Sequence, residues 1–89
     1  MKIETLQKAF DAQWFNKATN KSERFMATAS VTMTTEDYMI LWEKLDHNIG
    51  AWMQANQKPY DVWANHRTDS RIIYFQTLED ATLFRLSCP

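Results

Sequence analysis

The sequence predicts an α+β fold: an antiparallel sheet of three or four strands with ferredoxin-like (βαββαβ) connectivity, preceded by an N-terminal helix. Three observations carry this. Phe25 to Met33 alternates between an apolar set (Phe25, Ala27, Ala29, Val31, Met33) and a mostly polar one, the mark of a strand with one buried face. Tyr38, Leu41, Trp42, Leu45, Ile49, Trp52 and Met53 fall on one helical stripe. Arg71-Ile72-Ile73-Tyr74-Phe75-Gln76 suits a pleated, half-buried surface and runs straight into a helix start at Thr77.

The elements follow in order. Ile3, Leu6, Phe10 and Trp14 have helical spacing, and Ala9 and Ala12 add propensity, so 3–15 reads as a helix. Residues 16–24 are polar and basic and read as a loop. The alternating run gives a strand over 25–33. Thr34 and Thr35 can each cap a helix whose first turn holds Glu36 and Asp37, acids favoured by the dipole there. That helix spans 35–55, since Pro59 disfavours helical geometry at Lys58. Gly50 inside it costs about 1 kcal/mol against alanine. A strand over 60–65 and a strand over 71–76 flank a polar connection of hairpin length. Thr77 caps a helix over 77–84, with Asp80 three residues on as in a capping box. Residues 85–88 read as a fourth strand or a helical tail. The order from 25 onward is that of a split βαβ unit.

Ile72 and Tyr74 face one side of their strand, Ile73 and Phe75 the other, so both sheet faces need cover. The N-terminal helix, with Phe10 and Trp14, is the nearest cover. A second copy of the chain, as a homodimer, is the alternative.

Composition bounds the rest. Eighty-nine residues make one domain, 1–89, with a core near the low end of self-sufficiency. Four Trp, five Phe and three Tyr supply that core, each removing about 150–250 Å² from water when buried. The net charge of −1 builds no strong positive field, which counts against non-specific nucleic-acid binding. Lys17, Lys21 and Arg24 form the one local basic cluster. A single cysteine, Cys88, cannot form an internal disulfide. No window approaches the ~18 apolar residues of a membrane span, and the N-terminus lacks an apolar signal core. The expectation is a cytoplasmic protein without a membrane partner.

Chemistry is sparsely signalled. His47, His66 and Cys88 lack metal-ligand spacing, so no metal or cofactor is expected. Cys88, His66 and Asp69 compose a nucleophilic set on paper, but nothing in the sequence places them together. Glu79 and Asp80 read as first-turn charges rather than an acid–base pair. No catalytic residue is assigned, and the chain reads as a non-enzyme. Trp63, Tyr74 and Phe75 are strand aromatics of the kind that stack on bases, which keeps a nucleic-acid-binding sheet face as the alternative. The best contact surface is the polar hairpin after Trp63. Trp63, Asn65, His66, Arg67 and Asp69 join a large aromatic to a planar cation, an imidazole, an amide and an acid. Arg and Trp are the types most enriched at binding hot spots.

The tail Tyr74-Phe75-x-x-x-Glu79-Asp80-Ala81-x-x-Phe84-x-Leu86 resembles the close of many small uncharacterised accessory proteins of tailed bacteriophages. The resemblance covers the last third of the chain. It implies a phage accessory protein that binds and inhibits or redirects a host protein, with an anti-defence role as its most concrete form, in the host cytoplasm. It carries over no catalytic residue.

Overall fold

The computed structural model describes residues 1–43 and 50–87. Its elements are β1 (Lys2–Asn16), β2 (Lys21–Thr34), α1 (Thr35–Glu43), α2 (Gly50–Ala55), β3 (Tyr60–Asn65), β4 (Ser70–Phe75) and α3 (Leu78–Leu86). The four strands form one antiparallel sheet in the order β1-β2-β4-β3. β2 and β3 both run antiparallel to β4, so they are parallel to each other with β4 between them. The α1–α2 connection is the long crossover that such a pair requires.

This corrects the fold class. There is no N-terminal helix, and the order is not ferredoxin-like. The place beside β2 belongs to β1. Residues 85 and 86, offered as part of a last strand, continue α3, and Ser87 closes it through its N–H and hydroxyl on Leu83 O. Position 88 lies outside the described residues. β2 also starts earlier than expected, at Lys21, because 21–24 pair with Asn16–Gln13. Only residues 17–20 turn, with Asn20 at φ 56°.

The error over 3–15 has a physical cause. Thr5 pairs with Ala29 and Phe10 with Ala27, so five steps of β1 match two of β2. This bulge shifts the phase of the alternation. On one side of it Ile3 and Thr5 share a face; on the other Phe10, Ala12, Trp14 and Asn16 do. A period-two strand with one phase jump then mimics the spacing of a helix. Pairing with β2 overrides the helix propensity of Ala9 and Ala12.

One core lies between the sheet and the helices. Ala29, Val31 and Met33 of β2 meet Ile73 and Phe75 of β4, Tyr38 and Leu41 of α1, Met53 of α2, and Ala81 and Phe84 of α3. Fully burying each large member contributes about 1.5–3 kcal/mol. Phe75 and Phe84 pack at 5.3 Å between ring centroids. The caps hold as read: Thr34 Oγ1 accepts from Asp37 N (3.1 Å) and Thr77 Oγ1 from Asp80 N (3.1 Å). Leu45 and Ile49 of the expected stripe lie outside the described residues. Met39 and Trp52 are exposed.

The second core gathers Ala12, Trp14, Phe25 and Ala27 with Leu6, Phe10 and Tyr74. Phe10 stacks on Tyr74 at 4.4 Å. The cover expected from Phe10 and Trp14 is therefore supplied, by a strand. The outer edge of β1 is held by side chains of the opposite end of the chain. Gln13 N donates to Asp61 Oδ2 (3.1 Å), Gln54 Nε2 donates to Phe15 O (2.8 Å), and Lys17 N donates to Gln54 Oε1 (3.0 Å). Buried Asn16 donates to Glu23 (2.6 Å) and Gln57 (2.8 Å) and accepts from Ala18 N (3.0 Å).

Two predictions follow from this packing. A helix would put Ala12 opposite Phe10 and Trp14, whereas the strand puts all three together. Ala12, 2% exposed, should not tolerate a charge: Ala12→Glu loses more than ~3 kcal/mol in urea unfolding, while exposed Ala9→Glu stays within about 1 kcal/mol. Burial pushes the Tyr38 phenol up, against a smaller opposing pull from Arg71, whose guanidinium lies 5.4 Å from its ring. The unfolded phenol ionises near pH ~10 and the folded one above it. Stability should therefore fall as pH rises through and beyond ~10, and fall less in Tyr38→Phe.

Candidate functional site

The β3–β4 hairpin pairs Tyr60 with Phe75 through Asn65 with Ser70 without a break. Its turn is ordered by its own residues. Asn65 Oδ1 accepts from Arg67 N (3.1 Å), an Asx turn, and the hydroxyls of Thr68 and Ser70 pair at 2.7 Å. Asp69 takes a left-handed conformation at φ 51°, and its carbonyl accepts from Thr35 N (3.0 Å). The turn is thereby tied to the start of α1.

The five residues read from the sequence lie here, and all are exposed. Trp63 is 50% exposed, a large share for a residue that could have packed inward. Its Nε1 donates to Asp61 Oδ2 (2.8 Å), and Phe10 meets its ring edge-on at 5.6 Å and 84°. One end of the indole is thus fixed and the rest faces solvent. Asn65 spends its side chain on the turn. His66 and Arg67 form no side-chain hydrogen bond or ion pair with any described residue.

Two further residues belong to the site. Asp61 stands two positions before Trp63, hence on the same strand face, a spacing visible in the sequence. Phe10 arrives from β1, and no local signal could have shown it.

The other strand aromatics are occupied. Phe75 is buried on the helix side of the sheet, and Tyr74 lies beneath Phe10. Of Trp63, Tyr74 and Phe75 only Trp63 stays open, and the other half-exposed strand ring, Phe15, lies on β1. Of the basic cluster, Arg24 is paired with Asp11 and lies on the β1–β2 arm. Among the described residues, no three His, Cys, Asp or Glu side chains gather in a way that could hold a metal ion. His47 and Cys88 lie outside the described residues, while His66 and Asp69 share one turn. A cavity of about 260 Å³ beside Asp61 is lined by Trp14, Lys17, Gln54 and Tyr60, among others. Gln54 already uses both ends of its amide on Phe15 O and Lys17 N, and Asp61 bonds two donors, so the cavity is a seam of the fold.

No helix among the described residues is long and apolar enough to cross a membrane. No protein-family model, no curated protein and no solved structure matches this chain.

Asp61 holds both Trp63 and β1, so its removal should loosen both. Asp61→Ala should cost about 1–2 kcal/mol in urea unfolding and speed amide exchange at Gln13. Unchanged exchange there would contradict the shared contact.

Proposed function

We propose that this chain is a small non-enzymatic protein-binding module that acts by occupying a partner's surface. The observation that carries it is Trp63: a half-exposed indole, held by Asp61 and Phe10, beside a rigid turn that presents His66 and Arg67. A fixed aromatic loses little entropy on binding, and Trp and Arg are frequent hot spots. The partner surface is Trp63, Asn65, His66, Arg67 and Asp69. With the resemblance of its tail, the module reads as a phage accessory protein that inhibits or redirects a host protein in the cytoplasm, including one of host defence.

The test is retention of a host protein by the immobilised chain, followed by its affinity for variants. Trp63→Ala and Arg67→Ala should each weaken binding by at least tenfold, about 1.4 kcal/mol or more, with the fold intact. Equal affinity in both variants would refute this surface.

A further inference from the structure

We propose that the partner docks as an added strand on the outer edge of β3, through an extended segment carrying an acidic side chain that meets Arg67. This rests on the reading above and names the kind of partner that surface takes.

The inference comes from a contrast between the two edges of the sheet. An edge strand exposes unpaired N–H and C=O groups, and proteins blunt it with charges, bulges or cover. β1 carries all three. Lys2, Glu4 and Lys8 are exposed along its first half, the bulge interrupts its middle, and Gln54 and Asp61 occupy the backbone of its second half. β3 meets β1 along its first half, at Tyr60 and Asp61, and is managed less beyond it. Among the described residues it pairs only with β4, in unbroken register, and it has no proline, lysine or bulge within Tyr60–Asn65. Its one charge, Asp61, is engaged with Gln13 and Trp63. Trp63, Ala64 and Asn65 are all exposed.

Strand addition takes its affinity from main-chain bonds and its specificity from alternate side chains. The charge of the occupant follows from the turn. His66 and Arg67 continue directly from β3, whereas Asp69 leads into β4 and is tied back toward α1. A strand laid along Trp63–Asn65 thus runs toward unpaired cationic and imidazole groups. An apolar or aromatic residue of that strand sits beside Trp63, and an acid one turn-length on reaches Arg67.

The probe is a library of random twelve-residue peptides displayed on phage and selected against the full chain. Selected peptides should alternate apolar and polar residues and contain Asp or Glu. The tightest one, made synthetically, should protect backbone amides within 60–65 from exchange. Arg67→Gln, a surface change, should weaken it about tenfold with the fold intact. Peptides that contact the hairpin but lack acids, or are indifferent to Arg67→Gln, overturn the acidic strand and leave the Trp63 surface standing. Peptides that protect α3 instead, at its exposed Leu78, Leu83 and Leu86, overturn strand addition, as does failure to enrich any peptide.

Discussion

The fold depends on how the β1–β2 arm is fastened to the rest of the chain. Before Ala29, β2 does not pair with β4, and the arm would be an isolated two-stranded ribbon. Such a ribbon is marginal in water. Here its outer edge is taken up by amide and carboxylate side chains from α2 and β3, and its inner residues build the second core. The polar contacts contribute modestly, about 0.5–1.5 kcal/mol each. Burial of Trp14 and Phe25 contributes more, but the polar contacts fix where the arm must lie. Gln54 fits because its amide offers a donor and an acceptor at one end, matching the Phe15 carbonyl at the end of β1 and the Lys17 N–H of the turn that follows. In a chain of 89 residues little core can be spared, so loss of the arm would remove much of what sustains the sheet.

Much of this was legible in the sequence, and the exceptions are instructive. The strand at 60–65, the start of α1 after Thr34 and the Thr77 cap all rest on signals a few residues long. The alternation at 25–33 was equally plain, though its strand reaches back to Lys21. What failed was the N-terminal segment. Its bulge converts two short alternating runs into an apparent helical stripe, and only the pairing partner reveals the phase jump. That single error carries into the topology, because the strand order is then counted from 25 and leaves β1 out of the sheet. Yet the demand for a cover over the second face was sound, and Phe10 and Trp14 do supply it.

The site shows the same division. Trp63 and the polar turn were readable as a surface, since indole, guanidinium and imidazole cluster within five residues. Its rigidity was not readable. Asp61 links Trp63 to Gln13 across 48 positions, and Phe10 reaches the indole from the first strand. The arm that completes the fold therefore also fixes the indole. The same asymmetry that shields β1 leaves β3 with its backbone edge beside that indole.

The most direct test of the fastened arm is native-state amide exchange at Gln13 and Lys17. Both N–H groups donate to side chains from outside the arm, Gln13 N to Asp61 Oδ2 and Lys17 N to Gln54 Oε1. If the arm is held as described, both should be protected, with opening free energies close to that of global unfolding. Exchange at the rate of exposed amides, while Val31 and Ile73 remain protected, would mean that the arm moves independently and that the second core does not hold it.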